Sequence, residues 1–89
     1  MFDQAKKLWD LKRQADELKK ELAAEVLEVD RGDIHITIAA DMQLKNLDYP
    51  KETGTKDLME ALNKAIEEAQ KVAAKKMQGQ MQALQDLLK

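Results

Sequence analysis

The middle of the chain, residues 34–39, reads IHITIA, with an isoleucine at every second position. Successive side chains of a β-strand point to opposite faces, so this alternation predicts a strand with its three isoleucines on one face. The Asp-Arg-Gly-Asp stretch at 30–33 has turn composition, and Pro50 ends the pattern because proline cannot donate a hydrogen bond to a strand ladder. We expect a three-stranded antiparallel meander with strands at about 25–30, 33–40 and 43–49.

Apolar residues recur at helical spacing on both sides of the meander. In the first segment they follow a 3-4-3-4 repeat, which is the pattern of an apolar seam along a helix. The members of this seam are Leu8, Leu11, Ala15, Leu18 and Leu22. The second segment keeps helical spacing without a proline, and Asp57 followed by Glu60 is a capping-box variant at its start. The sequence predicts helices at about 3–24 and 57–88.

These elements predict an α+β fold in a single domain, residues 1–89. Its order is helix, three-stranded antiparallel meander, helix. A helix of about 32 residues would be roughly 48 Å long, whereas strands of this length span about 20 Å. We therefore expect both long helices to project from the small sheet.

Four alanines of the second helix, at positions 61, 65, 69 and 73, are spaced four residues apart. Such a row is a smooth ridge that lets another helix approach closely. A contact within one chain and a contact between two chains are both compatible with it. A short chain without cysteine buries a small core and has no disulfide to stabilise it, so we expect a homodimer. The residues expected in the dimer interface or in helix packing are Leu8, Leu11, Leu18, Ala65, Ala69 and Ala73.

The sequence offers no catalytic constellation. His35 is the only histidine, there is no cysteine, and none of the familiar phosphate-binding, zinc-protease or nucleophile motifs is present. We predict that the protein is not an enzyme and has no metal, no cofactor and no small-molecule substrate. The N-terminus does not resemble a signal peptide, and no apolar run approaches the length of a membrane span. We therefore expect a cytoplasmic protein without a membrane partner.

Charge is distributed unevenly along a chain whose net charge is −2. Residues 1–13 carry four basic and two acidic side chains, and residues 71–89 carry four basic side chains and one acidic one. Residues 14–70, in contrast, carry seven basic and fourteen acidic side chains. If the two helices run antiparallel, both positive segments lie at one end of the molecule. This pattern suits contact with a polyanion, but it also suits a solvated helix face and a favourable interaction with the helix dipole. The candidate phosphate contacts are Lys6, Lys7, Lys12, Arg13, Lys71, Lys75 and Lys76. Trp9 is the one candidate for stacking on a base, and we expect it to pack beside the seam of the first helix instead.

The chain carries three notable stretches: LDYP at 47–50, LNKAIEEAQKVAAKKM at 62–77 and MQGQMQ at 77–82. Taken in order, they resemble the end of the third strand, the long second helix and the methionine-bearing tail of the YbaB/EbfC family of bacterial nucleoid-associated proteins. The resemblance implies a YbaB-like domain, a tweezer-like homodimer and binding of double-stranded DNA with little sequence preference. It further implies a nucleoid-associated role in chromosome organisation or gene regulation. The family often has a glycine-rich stretch between its first two strands, where this chain has the acidic turn at 30–33.

Two other functions are compatible with this order of elements. A prefoldin-like holdase chaperone would grip unfolded chains with apolar arm tips, here formed by Phe2, Met77, Met81 and Leu84. A protein-interaction adaptor would use its acidic sheet to bind a basic partner.

Overall fold

The computed structural model describes residues 2–88, and the side chains of residues 3–86. Positions 1 and 89 of the predicted domain, and the side chain of the predicted tip residue Phe2, lie outside these ranges. The elements are α1 (Phe2–Ala24), β1 (Val26–Arg31), β2 (Ile34–Ala39), β3 (Leu44–Asp48) and α2 (Thr55–Leu88). The expected α+β order of helix, three-stranded antiparallel sheet and long helix is confirmed, with the strands in the order β1-β2-β3.

Both turns of the sheet contain a residue with left-handed backbone geometry. Gly32, in the two-residue loop between β1 and β2, has a φ of 59°, which glycine adopts without steric cost. Met42, between β2 and β3, has a φ of 70°, which is strained for a residue with a side chain. Three hydrogen bonds hold this second turn: the Met42 amide donates to the Ala39 carbonyl, the Ala39 amide donates to the Gln43 carbonyl, and the Gln43 amide donates to Asp41 Oδ1. The composition signals only the first turn clearly, because methionine is not a turn residue.

The core lies between one face of the sheet and the first half of α2. The buried sheet residues are Val29, Ile34, Ile36 and Ile38, and the buried helix residues are Ala61, Ala65 and Ala69. The expectation that the alanine row packs against another helix is therefore wrong for these three alanines, while Ala73 is half-buried. Large branched side chains on the sheet fill the space between the layers, so the helix that covers them presents small ones.

The start of α2 also differs from the prediction. The helix begins at Thr55, and the Leu58 amide donates to the Gly54 carbonyl at 3.1 Å. Asp57 is therefore not the cap; it lies in the first turn, where its negative charge interacts favourably with the positive end of the helix dipole.

The two helices run antiparallel beyond the sheet. Leu11, Ala15 and Leu18 of α1 line one groove with Met77 and the residues after it in α2. We call residues 2–18 of α1 together with residues 77–88 of α2 the helical arm. The arm makes the molecule 63 × 18 × 16 Å, and its radius of gyration of 17.8 Å exceeds the roughly 12 Å of a compact chain of this length.

The packing of the arm is sparse. Leu8 and Leu11 are 69 % and 46 % exposed, whereas Leu18 is half-buried. Trp9 is 67 % exposed, so the expectation that it packs beside the seam is wrong. Nine residues separate Trp9 from Leu18, which places the two on opposite sides of the helix at 3.6 residues per turn. Over residues 2–88, no helix is long and apolar enough to cross a membrane.

Candidate nucleic-acid interface

The four basic residues in the first half of α1 all project into solvent. Lys6, Lys7, Lys12 and Arg13 are exposed, and we call them the α1 cluster. Arg13 Nε lies 3.9 Å from Glu17 Oε1, an exposed pair of little energetic weight. The Lys12 ammonium lies 5.9 Å from the centre of the Trp9 ring, within the range of a cation–π contact. These cations are therefore accessible to an anionic partner.

The three lysines in the middle of α2, the α2 cluster, have closer acidic neighbours. Lys71 Nζ lies 3.9 Å from Glu67 Oε1 and 4.0 Å from Glu68 Oε1. Lys76 is half-buried, and its Nζ lies 3.7 Å from a carboxylate oxygen of Glu25. Lys75 is exposed, and it forms no ion pair with the residues that the structure describes. Among these three lysines, Lys75 is therefore the one whose ammonium group is most available to a phosphate.

The antiparallel course of the helices does not bring the two clusters to one end of the molecule. Lys76 contacts Glu25, immediately after α1, whereas Arg13 lies twelve residues earlier, roughly 18 Å along the helix axis. Lys6 lies roughly 28 Å away by the same measure. The expectation that both positive segments lie at one end is wrong for these two clusters. The α2 cluster precedes the stretch of α2 that runs beside residues 11–18 of α1, so it lies opposite the end of α1 and not its beginning. The α1 cluster lies on the arm, and the α2 cluster lies where the arm joins the sheet.

The face of the sheet opposite α2 is polar and acidic. Cross-strand pairing places Asp30, His35 and Asp48 in one row across the three strands, and all three are exposed. His35 Nδ1 lies 2.7 Å from Asp30 Oδ1, and this hydrogen bond, with the charge of Asp30, raises the pKa of His35 above its ordinary value. The charges of Asp48 and Asp33 raise that pKa further. The side-by-side position of these three residues was not predicted from the sequence. The position of the turn at 30–33 could have indicated it, because a hairpin pairs the residues on either side of its turn.

Two other basic residues hold α2 on the sheet. Arg31 forms an ion pair with Glu60, and Lys64 Nζ donates to the backbone carbonyl of Asp30 at 3.1 Å. Both contacts join α2 to β1. These cations therefore have a structural role that the α1 cluster lacks.

The exposed apolar side chains include a lateral patch and an arm patch. The lateral patch comprises Met59 and Ile66 of α2 with Leu44 of β3, which are 58 %, 39 % and 51 % exposed. Its α2 members lie toward β3, because Lys64 contacts β1 and Ile66, two residues later, lies about 200° around the helix from it. The arm patch comprises Leu8, Leu11, Met77 and Met81. Within the described part of the chain, no group of three or more histidine, cysteine or acidic residues is arranged to hold a metal ion.

Comparison with protein-family models, with curated proteins and with solved structures finds no match to this chain.

Proposed function

We propose that the protein is a homodimeric, nucleoid-associated DNA-binding protein of the YbaB/EbfC kind, acting in the cytoplasm on the bacterial chromosome. It contacts duplex DNA with low sequence specificity. The observation that carries the proposal is the contrast between the exposed cations of the α1 cluster and the acidic face of the sheet. A polyanion is attracted to the first surface and repelled by the second, which favours an approach along the arm.

Low specificity follows from the kind of contact that these residues make. Lysine and arginine side chains on an exposed helix face bind phosphates, which position a protein on DNA but carry no base sequence. The α2 cluster adds contacts near the base of the arm, with Lys75 the most available. Roughly 18 Å between the clusters is no obstacle, because duplex DNA carries phosphates along its whole length.

The dimer is proposed from the lateral patch. Met59, Leu62 and Ile66 lie three and four residues apart, which places them on one side of α2. Leu44 and Leu47 of β3 are paired with the core residues Ile38 and Ile36. We infer that these apolar side chains form one strip along the protomer. A second copy related by a two-fold axis would cover the strip with the same strip, which is the usual geometry of a homodimer. This arrangement leaves the α1 cluster of both copies in solvent.

The dimer is tested by placing a charge in the lateral patch. We expect Ile66→Glu to raise the dimer dissociation constant by at least about tenfold, because the dimer would bury an unpaired carboxylate. Asn63→Glu introduces the same charge at an exposed position of the same helix and is the matched control. Sedimentation equilibrium measures both variants; a parent protein that sediments as a monomer at micromolar concentration would contradict the proposed dimer.

The arm patch favours a second candidate function, the holdase chaperone. Met77 and Met81 are 51 % and 62 % exposed, and they line one groove with the exposed Leu11 of α1. Flexible methionine side chains adapt to many apolar partners. The same arm therefore carries cations suited to phosphates and apolar groups suited to unfolded chains.

Two assays separate these functions. Fluorescence anisotropy with labelled duplex DNA at two salt concentrations is expected to show binding that weakens steeply with salt and is similar for unrelated sequences. A light-scattering assay of an aggregating client protein is expected to show no protection. Protection without DNA binding would replace the DNA-binding proposal by the holdase.

A further inference from the structure

The outward face of α1 carries an exposed indole in a setting that the duplex-binding proposal does not use. Trp9 is 67 % exposed and lies on the side of α1 away from the residues that face α2. An exposed tryptophan leaves a large apolar surface in water, and its flat ring is suited to stacking on another ring system.

The neighbours of Trp9 on the helix are mostly cationic. Lys6 precedes it by three residues, and Lys12 and Arg13 follow it by three and four, which are the spacings of side chains that meet on a helix surface. The Lys12 ammonium already lies 5.9 Å from the ring centre. Trp9, Lys12 and Arg13 line one surface groove of about 550 Å³. The other residues that line it are Asp16, Glu17 and Lys20. Lys6 therefore lies on one side of the ring along the helix, and Lys12 and Arg13 lie on the other.

A ring with cations on both sides matches the chemistry of a single-stranded nucleic acid. Bases in a duplex are stacked on each other, so an indole on a rigid helix surface reaches none of their faces. An unpaired base exposes its face, and the phosphates before and after it meet the flanking cations. Stacking does not depend on which base is present, because every base has an aromatic face.

A membrane surface is the other partner that an exposed tryptophan beside lysines suggests, and the geometry disfavours it. A helix that lies in a bilayer interface buries a broad apolar face. The neighbours of Trp9 at three and four residues are Ala5, Lys6, Lys12 and Arg13, which offer no such face. Leu11 and Leu18 lie in the groove between the helices, and Leu8, three residues before Leu11, shares their side of α1.

We propose that the outward face of α1 binds single-stranded nucleic acid, with Trp9 stacked on an unpaired base and Lys6, Lys12 and Arg13 on the adjoining phosphates. This inference rests on the proposed function, because both use cations of the α1 cluster. It goes further by naming single-stranded nucleic acid as the ligand and Trp9 as the residue that distinguishes a single strand from a duplex.

Trp9 is the only tryptophan of the chain, so its fluorescence reports on this site alone. The parent protein is titrated with an oligothymidine and, separately, with a duplex of equal length. We expect oligothymidine to quench the Trp9 emission and the duplex to bind without comparable quenching. Anisotropy of the labelled strands measures both affinities independently of the tryptophan.

Three variants define the role of the ring. Trp9→Ala is expected to lose roughly 10- to 100-fold in affinity for oligothymidine, the range for one lost base stack, while keeping its affinity for the duplex. Trp9→Phe keeps an aromatic ring and is expected to retain most of the binding. Tyr49→Ala, which removes a 45 % exposed aromatic ring next to Asp48, is the control and should bind as the parent does. Because Trp9 is exposed, the thermal midpoint of Trp9→Ala should match that of the parent.

The outcomes separate this inference from the duplex proposal. Duplex binding without binding or quenching by oligothymidine overturns the inference and leaves the proposed function standing. Quenching by oligothymidine without duplex binding supports the inference and rejects the proposed function. Oligothymidine binding that Trp9→Ala leaves unchanged also overturns the inference, as does a blue shift of Trp9 with anionic vesicles and no response to nucleic acid. If neither nucleic acid binds, both proposals fail.

Discussion

The molecule has two parts: the helical arm and the rest, which is built around the sheet and which we call the sheet half. Both parts contain apolar residues at regular spacing, but these residues are buried in the sheet half and largely exposed in the arm. Around the sheet, Ile36 and Ile38 are at most 1 % exposed, and the alanines of α2 close over them. In the arm, leucines and methionines at similar helical spacing remain largely in water. An apolar repeat therefore predicts a helix but not how completely its apolar side is covered, because covering depends on what lies opposite. Buried apolar area is therefore concentrated around the sheet, whereas the arm leaves most of its apolar side chains in solvent.

The largest expected difference between the two parts is in the free energy of unfolding that is lost when an apolar side chain is truncated to alanine. Ile38→Ala removes a fully buried side chain and should lower the free energy of unfolding by about 2–5 kcal/mol. Leu11→Ala removes a 46 % exposed side chain in the arm and should cost less than about 1 kcal/mol. Urea denaturation followed by circular dichroism measures both. Similar losses for the two variants would show that the arm contributes to the core after all.

A smaller loss of stability is expected when a buried alanine between α2 and the sheet is replaced by a larger residue. Ala69→Leu adds three heavy atoms at a position with 0 % exposure, and overpacking there should cost about 1–3 kcal/mol. Ala74→Leu makes the same change on the exposed side of the same helix and should have little effect. The two thermal midpoints provide the measurement; an unchanged midpoint for Ala69→Leu would mean that α2 does not pack on the sheet through its alanines.

The smallest effect concerns the acidic face of the sheet. The hydrogen bond to Asp30 and its charge raise the pKa of His35 in the folded protein above the ordinary 6.5. The stabilisation is therefore fully present below pH 6.5 and is lost as pH rises through the folded pKa. Asp30→Asn should reduce this fall in stability between slightly acidic and slightly alkaline pH, because it removes the two largest causes of the raised pKa and leaves only the charges of Asp48 and Asp33. Thermal midpoints across that range, with His35→Gln as the control, measure it, and a parent protein that gains stability over the same interval would contradict the assignment.

Much of the fold can be predicted from the sequence, because local residue patterns indicate each helix and strand. Alternation at 34–39 and turn composition at 30–33 predict the strands, and each strand begins and ends one residue from its predicted position. The apolar repeats predict both helices, although Gly54 and Thr55 start α2 earlier than the acidic residue at 57 suggests.

The candidate site depends on distances that no local pattern contains. The alanine row indicates a close approach, but spacing alone does not say whether a sheet or a helix approaches. The separation of Lys76 from the α1 cluster depends on where α1 ends relative to α2, which only the tertiary contact with Glu25 reveals. The exposure of Trp9 depends on the side by which α1 meets α2, whereas a large aromatic residue beside an apolar repeat is on average mostly buried.

The central claim, that the α1 cluster is the nucleic-acid-binding surface, is tested most directly by comparing two charge-matched triple variants. Lys6, Lys12 and Arg13 are changed together to glutamine in one, and the exposed Lys45, Lys51 and Lys56 of the sheet half in the other. Each variant loses three positive charges. Duplex affinity is measured by anisotropy as a function of salt.

We expect the first variant to lose affinity equally for unrelated duplexes. The slope of its log affinity against log salt should decrease by about 0.9 for each lost phosphate contact. The second variant should bind nearly as the parent does, because acidic neighbours hold the potential of the sheet half negative. Equal losses in the two variants, or no binding by the parent at low salt, would contradict the claim and leave the α1 cluster as a solvated helix face.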